Sequence, residues 1–187
     1  LSQMAIILAI ESSCDDTSAA IMVNGEIRAN GVATQAVHAK YGGVVPELAS
    51  RAHHENLLPV VEAALAQAGI SLAEVDAFAV TAGPGLMGSL LVGTSFVKGL
   101  ALSRNKPLLA VNHMLAHIHA HFIDAPRPSF PFLCLTVSGG HTQLVLLRDL
   151  AELTLLQQPC QILEVGAGQG QLALALAAQG HSVHLTD

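Results

Sequence analysis

Two histidines four residues apart, His113 and His117, form the pair whose spacing most directly suggests chemistry. On a helix they share one face, so their ring nitrogens can converge on one metal ion. Residue 114 is methionine, so the pair lacks the glutamate that serves as the base of His-Glu-x-x-His zinc peptidases. The alternative is a stripe of surface histidines, which His121 would extend by one turn.

A second candidate site is the turn of Ser138, Gly139, Gly140 and His141, which follows an apolar strand predicted at 132–137. The backbone N–H groups of a Ser-Gly-Gly turn can surround a phosphate. The alternative is an ordinary hairpin turn between two strands. A metal site and a phosphate site close together would suit an enzyme that acts on a nucleotide or on an activated acyl-phosphate.

The loop at residues 11–17, Glu-Ser-Ser-Cys-Asp-Asp-Thr, combines three acids with three hydroxyl groups. Its Asp15 and Asp16 could contact a phosphate, a metal ion or metal-bound water. The alternative is a polar turn whose side chains bond only to their own backbone.

Composition limits the class of protein. The chain has 187 residues, half of them apolar, and a formal net charge of −6. No apolar run reaches the length of a membrane span, about 18 residues, and no basic segment opens a signal peptide. Three scattered cysteines predict a cytoplasmic location, and the acidic charge means that RNA would need a local basic patch or a partner.

The elements that must position these residues alternate between strands and helices. The turn Asn24-Gly25 joins two apolar runs as a hairpin, Pro46 opens a long helix and Gly69 ends it. Strands are predicted at 6–10, 19–23, 27–34, 77–81, 108–111, 132–137 and 143–147, and helices at 46–68, 87–103 and 113–122. The pattern predicts an α/β fold with a mixed sheet.

Two of these helices carry more specific predictions. On the first, the inward face is assigned to Leu58, Val61, Leu65 and Ala68, and the pair His53-His54 to the solvated surface. On the second, close packing against another element is expected to explain the three glycines, which are Gly88, Gly93 and Gly99.

The last part of the chain has a different pattern. A strand at 161–165 enters a glycine loop with Gly166 and Gly168, and a helix at 171–179 and a strand at 182–186 follow. Glu164 precedes the loop and Asp187 ends the second strand, at the distance expected of a βαβ dinucleotide fingerprint. The alternative is a Rossmann-like fragment that binds no ligand.

Five motifs in residues 6–148 together resemble those of the tRNA threonylcarbamoyladenosine transferases, the TsaD proteins formerly labelled O-sialoglycoprotein endopeptidases. The five are residues 11–17, 42–51, 83–90 and 137–143, and the pair His113 and His117. The resemblance implies an actin-like ATPase (ribonuclease H-like) fold and one divalent metal ion, iron or zinc, per subunit. It also implies transfer of a threonylcarbamoyl group from its adenylate to N6 of adenosine 37 in ANN-decoding tRNA.

The same resemblance assigns roles to residues and implies partners. His113 and His117 match the metal ligands, and Asp15 and Asp16 match acidic positions near the reacting group. The turn at 138–141 matches the segment that faces phosphate. Expected ligands and partners are threonylcarbamoyl-adenylate or ATP, tRNA, an actin-like partner subunit and the ATPase of the same machinery, with no membrane contact.

This sequence departs from the family after about residue 148, where members continue into a second actin-like half that closes the nucleotide cleft. We therefore predict an actin-like domain at 1–148, a junction at 149–160, and an incomplete βαβ unit at 161–187. This unit resembles the opening of a class I S-adenosylmethionine-dependent methyltransferase, a resemblance that implies that the loop with Gly166 and Gly168 approaches the cofactor and that Asp187 binds its ribose hydroxyls. The strand of this unit should start a separate parallel sheet. A cleft needs two walls, so we expect the chain alone to be inactive in transfer.

Two other functions stay open. A non-catalytic actin-like partner subunit would explain the missing second half, although the retained histidines argue against it. An S-adenosylmethionine-dependent methyltransferase would place the function in the tail, but one βαβ unit offers no substrate pocket.

Overall fold

A computed structural model describes residues 5–137, 142–149, 163–164 and 183–186 of the chain. These residues fall into two units, Leu1–His113 and Met114–Asp187. Both units combine helices with strands, as the sequence pattern predicts.

The first unit is built on a five-stranded mixed sheet with the strand order β3-β2-β1-β4-β5. Its strands are β1 (Ile6–Glu11), β2 (Thr17–Val23), β3 (Glu26–Ala33), β4 (Ala77–Gly83) and β5 (Leu108–Asn112). The first three strands pair antiparallel, whereas β1, β4 and β5 run parallel. The predicted hairpin is confirmed: Asn24 and Gly25 both have positive φ, 52° and 84°, as a type I′ turn requires.

Two long helices, α1 (Pro46–Ala68) and α2 (Met87–Arg104), pack on this sheet and against each other. Helix α1 contacts β2 and β3, and α2 contacts β4. As predicted, α1 begins at a proline and ends at Gly69, whose left-handed φ of 66° lets its N–H reach the last carbonyl groups of the helix. Two short 3-10 segments, Ala36–Tyr41 and Leu72–Glu74, flank α1.

The buried face of α1 differs from the prediction at two positions. The buried residues are Ala49, His53, Leu57, Val61 and Ala64. His53 is fully buried, so its assignment to the surface is wrong, whereas His54 is exposed as predicted. Leu58 is 52% exposed because the inward stripe runs through Leu57, one position earlier. An open groove of about 580 Å³ lies between α1 and α2, lined by His54, Leu57, Leu58, Leu91, Val92, Ser95 and Phe96.

The second unit contains a four-stranded sheet with the order β8-β7-β6-β9. Its strands are β6 (Phe132–Val137), β7 (Thr142–Leu147), β8 (Leu163–Glu164) and β9 (Val183–Thr186). The predicted separate parallel sheet of the tail is wrong. Strand β8 pairs antiparallel with β7, and β9 pairs parallel with β6, because the open edges of the β6–β7 hairpin offer both strands a ladder of backbone partners.

Helix α3 (His113–Ala120) begins at the last residue of the first unit, and its other residues belong to the second. It is shorter than predicted, so His121 lies in the turn that follows and does not extend the histidine stripe. Ile118 of α3 packs with buried side chains of β6 and β7 in the core of the second unit. None of the helices in the described residues combines the length and the apolar character needed to cross a membrane.

The glycines of α2 mark where this helix approaches other elements most closely. A Cβ at Gly93 would collide with the side-chain oxygen of Ser12, and a Cβ at Gly88 would collide with that of Ser50. The expectation of close packing is therefore confirmed at both positions. It is wrong at Gly99, which is exposed and where a Cβ would meet no atom of the described residues within 4 Å.

This difference predicts opposite effects of one substitution on one helix. Gly93→Ala should lower the free energy of unfolding by about 1–3 kcal/mol, because the loop after β1 must move to accept the methyl group. Gly99→Ala should raise it by about 0.5–1 kcal/mol, since alanine favours the helix and meets nothing there. Urea denaturation of both variants checks this, and a Gly93→Ala protein as stable as Gly99→Ala would contradict the packing.

Candidate active site

The candidate site lies at one edge of the first sheet. Strands β1, β4 and β5 are parallel neighbours, so their carboxyl ends meet along that edge, where α/β proteins commonly bind ligands. Glu11 is the last residue of β1, and His113 follows the last residue of β5 directly. Strand order therefore brings together two residues that are far apart in sequence.

Glu11, Ser13 and His113 form a polar cluster at this edge. The Nδ1 atom of His113 lies 3.4 Å from Oε2 of Glu11 and 3.3 Å from Oγ of Ser13. The side chains of His113 and Glu11 are 22% and 31% exposed, so the cluster is accessible yet partly shielded from water. The backbone N–H of Ser13 donates to Oε1 of the same glutamate.

The charge of Glu11 is stabilised in place. Burial by itself raises the pKa of this carboxyl group, but hydrogen bonds with His113, Ser13 and Thr81 outweigh that effect and hold the pKa at about 2. Glu11 is consequently a carboxylate at neutral pH, and it can accept but not donate a hydrogen bond.

The loop after β1 is held in shape by the buried His53 of α1. Its Nε2 lies 3.0 Å from the carbonyl oxygen of Cys14, and its Nδ1 lies 2.8 Å from the hydroxyl of Thr17. Because a carbonyl oxygen only accepts, Nε2 must carry the proton of that contact. Burial of this histidine is thus explained by two polar partners, both of them in the loop or at its end.

Three hydrogen bonds that involve the first turn of helix α2 or the residue before it also hold this loop in place. The hydroxyl of Ser89 donates to the carbonyl of Cys14 at 3.0 Å, and the hydroxyl of Ser12 donates to the carbonyl of Ser89 at 2.9 Å. The N–H of Leu86 donates to the carbonyl of Ser13 at 2.7 Å. The loop therefore has a defined backbone shape, which directs Ser13 toward His113.

Glu11, Ser13 and His53 are the residues that sequence reasoning missed. Glu11 belongs to the loop motif but has no assigned role there, although an acid at the end of a buried strand is a recognisable signal. For His53, the signal is its spacing: it lies four residues from both Ala49 and Leu57 on the inward stripe of α1.

The predicted acids Asp15 and Asp16 lie in this loop, half-buried and exposed respectively. Asp15 raises the pKa of the neighbouring Cys14 thiol. The residues of this segment that lie next to His113 in the structure are Glu11 and Ser13. The catalytic roles of Asp15 and Asp16 stay predictions.

The predicted metal ligand His117 lies on α3, half-buried, four residues after His113. Within the described parts of the chain, no group of three or more His, Cys, Asp or Glu side chains is arranged to hold a metal ion. His113 nevertheless suits the role of a metal ligand. One of its ring nitrogens faces the carboxylate of Glu11, and metal-bound imidazoles commonly have such a carboxylate partner on the nitrogen that does not bind the metal.

Two predicted sites fall outside the described residues. These are the phosphate turn of Ser138, Gly139, Gly140 and His141, and the glycine loop with Gly166, Gly168 and Asp187. Glu164 is described as a backbone position of β8, paired with Gln143. The phosphate and S-adenosylmethionine assignments stay predictions.

The thiol of Cys14 is kept protonated by its surroundings. Desolvation of the sulfur, then a hydrogen bond and the charge of Asp15, then the charges of Asp16 and Glu11 raise its pKa from 9.0 to about 11. All of these effects disfavour the thiolate, which is the nucleophilic form of cysteine. Cys14 is therefore a poor nucleophile at neutral pH, despite its exposed position beside the site.

Comparison with protein families identifies one match over most of the chain. A family model described as tRNA N6-adenosine threonylcarbamoyltransferase (TsaD) matches residues 26–168. The match extends past residue 148, and the domain boundary predicted there stays a prediction.

Curated proteins with the same description are similar to the chain at high identity. The relative from Christiangramia forsetii is 63% identical over 146 residues, covering 76% of this chain and 43% of that protein. The relative from Porphyromonas gingivalis is 50% identical over 193 residues, covering 94% of this chain and 57% of that protein. The chain spans about half the length of the curated relatives it matches.

Among solved structures, YeaZ from Pseudomonas aeruginosa resembles the chain with a TM-score of 0.57 and 21% identity. The similarity covers 78% of this chain and 61% of that one. At this identity the similarity speaks for the fold alone, and it agrees with the predicted α/β fold with a mixed sheet.

The environment of Cys14 predicts slow alkylation that accelerates at high pH. Relative to an unperturbed thiol, two pKa units leave about 100-fold less thiolate, and the greater reactivity of a more basic thiolate recovers about tenfold. Iodoacetamide should thus modify Cys14 about tenfold more slowly than an unperturbed thiol at pH 8. The measurement is mass spectrometry of the peptide that contains Cys14.

Asp15→Ala provides the comparison, because it removes both the hydrogen bond and the larger of the charge effects that raise the pKa of Cys14. The alkylation rate of Cys14 should rise more in the Asp15 variant than in Asp16→Asn, which removes only a charge. Alkylation of wild-type Cys14 at the rate of a free thiol would show that the loop does not suppress its ionisation.

Proposed function

Because the chain belongs to the tRNA N6-adenosine threonylcarbamoyltransferase (TsaD) family, we propose that it forms part of an enzyme that modifies tRNA. The proposed reaction transfers a threonylcarbamoyl group from threonylcarbamoyl-adenylate to N6 of adenosine 37 in tRNAs that read ANN codons. The family match is the observation that carries this proposal. The cluster of Glu11, Ser13 and His113 supports it by supplying a partly shielded polar edge.

We propose that His113 and His117 hold one divalent metal ion, iron or zinc. Their four-residue spacing on α3 and the carboxylate partner of His113 support this assignment. When bound, such an ion would supply Lewis-acid polarisation of an oxygen of the transferred group. Glu11 and Ser13 orient the imidazole of His113, and the fastened loop keeps both in place.

The remaining roles follow from position in the chain. Asp15 and Asp16 extend from the loop beside this cluster and are proposed to position the reacting groups or a bound water. The turn at 138–141 is proposed to face the phosphate of the adenylate. The net charge of −6 supports the proposal that tRNA binding depends on partners, namely an actin-like subunit and an ATPase of the same machinery.

The metal assignment predicts a specific loss of binding. His113→Ala and His117→Ala should each weaken Zn²⁺ binding by more than tenfold, since loss of an outer-shell partner alone typically costs about 10–100-fold. His54→Ala, which removes an exposed imidazole on α1, is the matched control and should bind as wild type. The measurement is calorimetric titration with Zn²⁺.

Equal binding by all four proteins would refute this metal site. A protein that forms a stable complex with a full-length transferase but binds no metal would instead favour the non-catalytic partner subunit.

The transfer reaction is tested in a hybrid enzyme. Residues 1–148 of this chain replace the corresponding residues of the Christiangramia forsetii relative, and the hybrid receives preformed threonylcarbamoyl-adenylate and an ANN-decoding tRNA. Transfer is expected, and His113→Ala should slow it by at least about 100-fold, because metal stabilisation of developing charge contributes several kcal/mol.

His54→Ala in the same hybrid should transfer at the unsubstituted rate. A folded hybrid that binds adenylate but transfers nothing, or a fully active His113→Ala hybrid, would contradict the proposed function.

A further inference from the structure

The ring of His113 meets two oxygen atoms at a single nitrogen. Its Nδ1 is 3.4 Å from Oε2 of Glu11 and 3.3 Å from Oγ of Ser13. A carboxylate can only accept a hydrogen bond, so an attractive contact places the proton of a neutral imidazole on Nδ1. The lone pair of the ring then resides on Nε2.

Glu11 is itself held in one orientation. Its other oxygen, Oε1, accepts the N–H of Ser13. Ser13 is in turn fixed by its carbonyl, which accepts the N–H of Leu86 at 2.7 Å. The carboxylate of Glu11 is therefore held in place, with its Oε2 atom facing His113.

We infer that Glu11 is a positioning residue that fixes the tautomer of His113, with the proton on Nδ1 and the lone pair on Nε2. The inference deepens the proposed function and rests on it, because it adds to the metal ligand a residue that prepares it. In metal sites, an imidazole whose second nitrogen donates to a carboxylate has a defined orientation and increased basicity.

The substitution Glu11→Gln tests this assignment with almost no change of shape. The glutamine oxygen must remain on the N–H of Ser13, because that backbone group offers only a donor. The glutamine NH₂ then faces Nδ1 of His113 and donates to it. The substitution should therefore reverse the tautomer, with the lone pair on Nδ1 and the proton on Nε2.

The readout is the ¹⁵N chemical shift of both ring nitrogens of His113, measured in the metal-free full chain. Long-range ¹H–¹⁵N correlation, recorded at a pH at which the spectrum shows a neutral ring, distinguishes a protonated from an unprotonated nitrogen. The signals are assigned by their loss in His113→Ala. Wild type should show a protonated Nδ1, and Glu11→Gln a protonated Nε2.

Two control variants separate the carboxylate from its surroundings. Ser13→Ala removes the hydroxyl but keeps the carboxylate, so it should retain the wild-type tautomer. Glu26→Gln removes an exposed acid that pairs with Arg28 on β3, and it should leave the His113 signals unchanged. A wild-type ring protonated on Nε2, or the same tautomer in wild type and Glu11→Gln, would overturn the inference.

Zn²⁺ titration supplies the second readout. Glu11→Gln should weaken Zn²⁺ binding by about 10–100-fold, the usual effect of losing an outer-shell partner. A reversed tautomer with unchanged Zn²⁺ affinity would overturn the role of Glu11 in preparing a ligand. If neither protein binds Zn²⁺ but the tautomers still differ, the proposed metal site fails while the orienting role of Glu11 is supported.

Discussion

The carbonyl oxygen of Cys14 accepts hydrogen bonds from two helices, and the shape of the candidate site depends on it. His53 of α1 and Ser89 of α2 both donate to this oxygen at 3.0 Å. A buried polar group that loses its partner costs about 1–3 kcal/mol, so both helices must dock in one register on the sheet. The absence of a side chain at Gly93 makes the approach of α2 to this loop possible.

The loop after β1, which these hydrogen bonds hold in place, shifts the pKa values of two nearby residues in opposite directions. Hydrogen-bond donors surround Glu11, so its carboxylate is stabilised and its pKa falls to about 2. The thiol of Cys14 is desolvated and has carboxylates around it, so its thiolate is destabilised and its pKa rises to about 11. The loop thus provides a fixed acceptor for His113, while a potentially reactive thiol beside it stays protonated.

Topology explains how the family's amino-terminal motifs are brought together. The loop at 11–17 follows β1, the motif at 83–90 follows β4 and His113 follows β5, and these three strands are parallel neighbours. A parallel sheet therefore collects three segments, distant in sequence, at one edge. The close approach of α2, which belongs to the second of these segments, then fixes the first.

Local signals in the sequence determined most of the elements. Three of these signals depend only on neighbouring residues. They are the positive φ angles at Asn24 and Gly25, the proline that opens α1, and the left-handed Gly69 that ends it. The candidate ligand His113 was also recognisable from its spacing to His117. The family was recognised from the same kind of information, motifs in order along the chain.

Only the tertiary structure decided which polar side chains are buried and paired. The spacing of His53 is compatible with the inward stripe of α1, but its partners Cys14 and Thr17 lie 39 and 36 residues away. Glu11 meets His113 across β4, and β8 and β9 join the edges of the β6–β7 hairpin. These outcomes depend on hydrogen-bond partners and strand edges that exist only once distant segments have been brought together.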